Sequence, residues 1–345
     1  DVRSLQLKSA AGREFVNAGE KATTTPVGLN AYLYVPGRDP AKAQAPGTAH
    51  VAVTEAGPLV ATIEAVQDDV PGARRMVRRV TLVSGSPVVE LETVVFKNQV
   101  RAKESAHLAF PFNVTNPTIR ADEGGAIVVP ERNQLPGSCR DFIGVHSAVD
   151  VSGSGYGVAL ASLDAPLVEL GAMTDETQDP KARVRGWRTK TAAGSTVYAY
   201  LLNNYWHTNY KADQEGPLSF RFAVRPHGAD ADDVALRRFG AEQEQPLIAY
   251  VVDADAKPAR APFLVEGGGV MVSSIRAEAT SDGKTATGAR LVRLYNASSR
   301  PATARLSSRG GAPVRAEYAQ DSRTLPNAGV TLPPFGTILL RVVAR

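Results

Sequence analysis

Cys139 is the only cysteine in 345 residues. A disulfide within the chain and a cysteine-based zinc site are both excluded. A lone cysteine fits the cytoplasm and export alike, so it leaves the compartment open. No apolar run approaches the ~20 residues that a membrane-spanning helix needs. The first residues, Asp1-Val2-Arg3-Ser4-Leu5, form neither the basic nor the apolar part of a leader, and no initiating Met precedes them. The chain therefore reads as one that begins after a cut, natural or engineered. Charge of one sign is also scarce. Lys and Arg number 39 against 35 Asp and Glu, for a net charge of +4, and no basic run exceeds the pairs Arg74-Arg75, Arg78-Arg79 and Arg237-Arg238. No nucleic-acid partner and no membrane partner are expected from such a distribution.

Familiar site motifs are missing as well. There is no Gly-x-Gly-x-x-Gly after a strand, no phosphate loop, no His-Glu-x-x-His and no Gly-x-Ser-x-Gly elbow. No repeat of solenoid or propeller length is detectable. The histidines, at 50, 107, 146, 207 and 227, are not spaced as ligands on one helix. A metal site would have to be assembled from distant strands, and none is expected in this chain.

What the sequence does contain is a chain that folds, with 43% hydrophobic and 21% charged residues. Its dominant pattern is the strand. Leu218, Phe220, Phe222 and Val224 alternate with polar partners, as on a half-buried strand. Val197–Leu202 and Tyr156–Ala161 are apolar on both faces, as in a covered central strand. Leu108–Val114, Val88–Phe96, Leu291–Tyr295 and Thr337–Val343 add further strands. Turn clusters such as Val35-Pro36-Gly37-Arg38-Asp39-Pro40, Ser152-Gly153-Ser154-Gly155 and Ser308-Arg309-Gly310-Gly311 separate them. One short helix is predicted over Ala231–Phe239, with Asp230 as cap, acids first, Arg237 and Arg238 last, and Gly240 ending it. The polar stretch Ala241–Pro246 then reads as a domain boundary. The prediction is an all-β chain, with a large β domain over 1–245 and a smaller β-sandwich over 246–345.

Two segments carry candidate chemistry. Asn203-Asn204-Tyr205-Trp206-His207-Thr208-Asn209-Tyr210 places aromatic faces and planar amides at a strand end, the parts that stack on sugar C–H surfaces and bond hydroxyls. Asn204, Trp206, His207 and Asn209 are the candidates here, although such residues also serve simply to pack loops. The second segment runs from Val128 to Phe142. Two prolines and a glycine fix its shape, while Glu131, Arg132, Arg140 and Asp141 supply hydrogen-bonding groups. The competing reading is an ordered connection held by internal Arg–carboxylate pairs. Glycosidic hydrolysis needs two carboxyl groups held across the scissile bond, and sequence spacing selects no such pair. Asp164 stands before a turn, where an Asp usually caps.

A succession of short motifs resembles the C-terminal region of family 38 glycoside hydrolases, the α-mannosidases. Leu135-Pro136-Gly137-Ser138, Val149-Asp150-Val151-Ser152, Tyr156-Gly157-Val158-Ala159-Leu160 and Leu163-Asp164-Ala165-Pro166-Leu167-Val168-Glu169-Leu170-Gly171 follow one another in that order. Leu202–Tyr210 with Gly216–Phe222 looks like a bacterial branch of the family. Ser4-Leu5 with Gly12–Val16 resembles the start of the family's large sandwich. Val272–Arg276, Arg293–Asn296 and Leu332–Thr337 resemble its terminal one. The resemblance implies a galactose-mutarotase-like supersandwich followed by a smaller β-sandwich. It also implies an upstream catalytic barrel, absent from these residues, that holds the zinc, the nucleophile and the acid/base. No catalytic residue, metal ligand or cofactor is therefore carried over to this chain.

The expected role is that of an accessory β portion, which completes a carbohydrate cleft and packs on that barrel. Two alternatives stand beside it. A stand-alone sugar epimerase would need a His and a Glu converging in one cleft, with His107, His146 and His207 available. A carbohydrate-binding module would need an exposed aromatic platform, for which Trp206 or Trp187 would serve.

Overall fold

The structure, a computed structural model, describes residues 1–8, 12–19, 21–22, 25–174, 186–205, 211–229, 231–249, 251–255, 263–280, 286–308 and 314–343. Its regular elements are almost all strands, as the period-two patterning requires. Contacts divide the chain into two compact units, Asp1–Ala231 with Phe239–Glu244, and Asp232–Arg238 with Gln245–Arg345.

Among the described residues the first unit is built on two large antiparallel sheets, beside two short strand pairs, Gln6–Leu7 with Arg13–Glu14 and Lys21–Ala22 with Thr25–Pro26. A five-stranded sheet runs in the order Ile143–Gly144, Leu167–Leu170, Thr196–Asn203, Glu104–Pro111, Ala31–Pro36. A nine-stranded sheet runs Ile127–Val128, Thr118–Asp122, Ala148–Ser152, Tyr156–Ser162, Gly216–Gly228, Val89–Lys97, Ala73–Val83, Val60–Gln67, His50–Ala56. The apolar runs occupy the covered strands. Every residue of Glu104–Pro111 is buried, and so are the first five of Thr196–Asn203. Phe110 and Phe222 meet between the sheets with ring centroids 4.9 Å apart.

Five strands do not cover nine. The edge of the smaller sheet lies near the Val89–Lys97 strand, where Asn30 Nδ2 donates to Thr93 Oγ1 at 2.9 Å and Arg78 Nη1 donates to the Asn30 carbonyl at 3.2 Å. Beyond that line, among the described residues, the inner face continues without a lid. Along the paired row Phe222, Leu91, Val80, Ile63, Val53, exposure rises from 2% at Phe222 and Leu91 to 46% at Ile63 and 63% at Val53. Val51 and Leu82 widen this apolar shelf, 66% and 50% exposed. The opposite face of the same strands mixes valines with paired charges. Arg79 bonds Glu64 and Glu92, both at 2.8 Å. The shelf is therefore a sheet face patterned for a core and left open, which a solvated strand face is not.

The second unit is a smaller sandwich. A three-stranded sheet (Leu264–Glu266, Ala302–Ser307, Gly329–Leu332) and a four-stranded sheet (Val270–Ala279, Ala286–Asn296, Thr337–Val343, Arg315–Tyr318) enclose Val292, Leu294, Ala304, Leu306, Leu340 and Val342. Fully buried Asn296 donates from Nδ2 to the Arg300 and Pro333 carbonyls at 2.7 and 2.9 Å.

The helix differs from its prediction. It spans Asp233–Glu244 and passes through Gly240. Its cap is Asp232, whose Oδ1 accepts from the Ala235 N–H at 2.9 Å. Asp230 lies outside the described residues. Gly240 sits against Ser147, whose Oγ would lie 2.0 Å from an added Cβ. The glycine thus answers a close approach, and good helix formers after it (Ala241, Glu242, Gln243) carry the helix on.

Candidate functional site

A cavity of about 810 Å³ in the first unit is walled chiefly by four pieces of chain. They are the loop before the Thr118–Asp122 strand, the one-turn helix Pro130–Asn133, Leu170 at its strand end, and the strap Lys190–Ser195. Pro130 starts the helix, where its missing N–H costs nothing. That turn presents Glu131 and Arg132 to the cavity, which Asn17, Asn116 and Lys190 also line.

Glu131 is fixed from across the cleft. Its Oε1 accepts from both the backbone N–H and the hydroxyl of Thr191, the latter at 2.8 Å. The Thr191 N–H is the chief cause holding the Glu131 carboxyl below the usual carboxylate range, against a modest opposing effect of burial. Glu131 is therefore an anion at neutral pH, able to accept from a hydroxyl and unsuited to act as a general acid. Among the described residues lining this cleft it is the one carboxylate. The pair of carboxyl groups that glycosidic hydrolysis requires is not assembled there. Among the described residues the cleft offers amides, one carboxylate and two cations.

The strap itself depends on Gly171. This residue has φ +76°, and an added Cβ would lie 2.2 Å from the Ala192 carbonyl oxygen. A Gly171→Ala variant is expected to lose at least about 1–2 kcal/mol from the left-handed backbone alone, and more from the backbone clash. Chemical denaturation checks this, and an unchanged midpoint would refute the close approach.

The remaining sequence candidates lie elsewhere. Arg140 and Asp141 are buried, each 3% exposed, and line none of the cavities described here. Arg140 bonds the Ser138 hydroxyl and the Leu135 carbonyl, and its N–H donates to the Arg188 carbonyl at 2.7 Å. Arg188 in turn reaches Asp141 Oδ1 at 3.3 Å. These two residues thus clamp the Leu135–Phe142 loop. Asn204 lies at a separate cavity of about 390 Å³, beside Glu104 and Asp213. Trp206, His207 and Asn209 lie outside the described residues. Trp187 is 51% exposed, with its indole N–H donating to the Gly137 carbonyl at 2.8 Å. Asp164 accepts from the Arg221 backbone and guanidinium at 2.8–3.0 Å, and this bonding holds it ionised as a structural partner.

Of the histidines, His107 Nδ1 stands 2.9 Å from Glu169 Oε2, but both side chains are buried and neither lines a described cavity. His146 Nε2 is 3.9 Å from Glu244 on the surface. His227 Nε2 contacts Asp150 Oδ1 at 2.6 Å. Among the described residues no three His, Cys, Asp or Glu side chains converge to hold a metal ion. Sequence reading missed Thr191, Lys190, Asn17 and Asn116. Thr191 and Glu131 are 60 residues apart, and no local pattern links them.

No family model matches the sequence. No curated protein matches it either. Among solved structures the chain is similar to an α-mannosidase from Enterococcus faecalis V583, with TM-score 0.64 and 14% identity over 96% of this chain and 39% of that one. A glycosyl hydrolase family 38 protein from Enterococcus faecalis gives the same score and identity, over 96% of this chain and 41% of that chain. The chain thus shares the fold of part of these proteins and spans about two fifths of their length.

Proposed function

We propose that this chain is an accessory β portion of a glycoside hydrolase related to α-mannosidases, which lends cleft side chains to a sugar site and docks on a catalytic portion. The observation that carries this reading is the asymmetry of the structural match: nearly all of this chain aligns, against about two fifths of each mannosidase-type structure. Two features of the first unit support it. Its cleft at Glu131 carries amides, cations and, among the described residues, one carboxylate, a set suited to hydroxyls and to a contributor to catalysis rather than a complete hydrolase. Its apolar shelf at Val51, Val53, Ile63 and Leu82 is a face of the kind that a further domain covers. The occupant is the catalytic portion, which supplies the three fifths of the mannosidase-type chains that this one does not span.

The test compares two polypeptides on an aryl α-mannoside. The 345-residue chain alone is expected to show no hydrolysis above the no-protein control. The longest polypeptide encoded by its reading frame is expected to hydrolyse the substrate and to lose that activity with a chelator. Turnover by the isolated chain at an enzyme-like rate would overturn the accessory role, and a reading frame that ends at Asp1 would remove the catalytic partner.

A further inference from the structure

Trp187 is 51% exposed, yet its indole N–H is already used, donating to the Gly137 carbonyl at 2.8 Å. An indole has one hydrogen-bonding atom. With that atom spent, the part of the ring open to solvent is flat and apolar. The residues that follow hold the ring in place. Arg188 Nε reaches Asp141 Oδ1 at 3.3 Å, its Nη2 donates to Thr174 Oγ1 at 2.8 Å, and its carbonyl accepts from the Arg140 N–H at 2.7 Å. Thr191 donates from its hydroxyl to Glu131 Oε1 at 2.8 Å. The 187–191 segment is thus pinned along the 131–141 loop at three points. Four residues of chain span at most about 14 Å. Trp187 therefore stands within that reach of Thr191, which lines the 810 Å³ cleft together with Glu131. The neighbours set the chemistry of a guest. Among the described residues of 130–142 and 186–195, Leu135 is the one other large apolar side chain left exposed. Two such side chains are too few for a protein-docking face. Asn133, Thr189 and Lys190 around them are polar and exposed. Arg132 and Lys190 place positive charge at the cleft, which disfavours a cation on the ring.

We infer that Trp187 is a stacking platform at the rim of the Glu131 cleft, and that the ligand is an oligosaccharide. One unit lies on the indole while another reaches Glu131 and Thr191. A sugar ring matches both parts, because its C–H face is apolar and its rim carries hydroxyls that donate and accept. The fixed indole adds contact area without an ordering cost at the moment of binding. A single sugar unit gains from one place or the other, and a longer chain gains from both. The platform thus selects for ligand length. The choice of a sugar rests on the glycoside hydrolase reading above, whereas the demand for a guest with a flat apolar face does not.

The test is an NMR titration of the whole chain with α-mannotriose and with methyl α-mannopyranoside. The chain has two tryptophans, so Trp187→Phe assigns the Trp187 indole N–H signal by its loss. With the trisaccharide, shift changes are expected at that signal and at the Gly137, Thr189 and Thr191 amides. The trisaccharide should bind about tenfold or more tighter than the monosaccharide. Trp187→Ala should abolish that preference, and Trp187→Phe, which keeps an aromatic face, should retain most of it. If the alanine variant fails to fold, the wild-type indole signal decides alone. Changes confined to Thr191 and Gly194, with equal affinity for both sugars, would overturn this inference while sparing the proposed function. No change with either sugar at millimolar concentration would overturn it too. Hydrolysis by the longer polypeptide tests the proposed function separately.

Discussion

An Asp150→Ala variant is expected to lose about 3–5 kcal/mol of stability, the range for removing one partner of a buried ion pair. Asp150 is 1% exposed in the middle of the nine-stranded sheet. Arg120 Nη2 reaches its Oδ2 at 2.8 Å, Ser152 Oγ donates to the same oxygen at 2.5 Å, and His227 Nε2 stands 2.6 Å from Oδ1. Burial alone would raise the Asp150 pKa. The His227 bond, the Arg120 charge and the Ser152 bond outweigh it and hold the carboxyl below the usual carboxylate range. The pH dependence follows from that direction. A carboxyl more acidic in the folded chain stabilises it fully above its unfolded value of about 3.9. That contribution is lost as pH falls through the lower folded value. Urea titrations at neutral pH and near pH 3 measure both effects. The gap between wild type and variant should narrow in acid. A gap below about 1 kcal/mol at neutral pH would show the cluster to be a surface-type pair.

Lys97→Met is expected to cost a similar amount, about 3–5 kcal/mol, because it strands Glu104 in the interior without its cation. Lys97 and Glu104 are 0% and 1% exposed at their side chains and 2.7 Å apart. Burial and the neighbouring Glu104 also push the Tyr34 hydroxyl well above its ordinary pKa, so Tyr34 stays neutral and cannot take over the charge balance. Adding Glu104→Leu should restore most of the loss, since a buried pair replaced by apolar side chains is often neutral. A double-mutant cycle reads this as a coupling energy. Additive losses would show that each side chain acts through other partners.

The strands were legible because burial on one or both faces writes a period into the sequence. Thr337–Val343 appears with the predicted bounds, and Val197–Leu202 lies in the covered centre of its sheet. Gly240 misled because the usual meaning of a glycine after basic residues is a helix end. Its actual reason is Ser147, which no local pattern reveals. The cleft was half legible. Glu131 and Arg132 stand out in their proline-fixed turn, while Lys190 and Thr191 look like ordinary loop residues until the fold brings them opposite. Arg140 and Asp141 have the same chemistry as Glu131 and Arg132, and only burial separates a clamp from a cleft wall. Sequence could see the hydrogen-bonding groups, but it could not see which of them already had partners.

The uncovered shelf has a consequence for how this chain is made. Its strands, from His50 to Val83, are synthesised early, yet the Val89–Lys97 strand that anchors them to the sheet pairs on its other side with Gly216–Gly228, more than a hundred residues later. Until that late partner emerges, a four-stranded apolar ribbon with an open edge must wait in solution. Pairings so distant in sequence form slowly. The His50–Ala56 edge has no lysine or proline to discourage a wrong neighbour. Yield of soluble chain should therefore fall with synthesis rate and temperature, and whatever covers the shelf would act during biogenesis as a chaperone acts, by occupying the ribbon before another copy does.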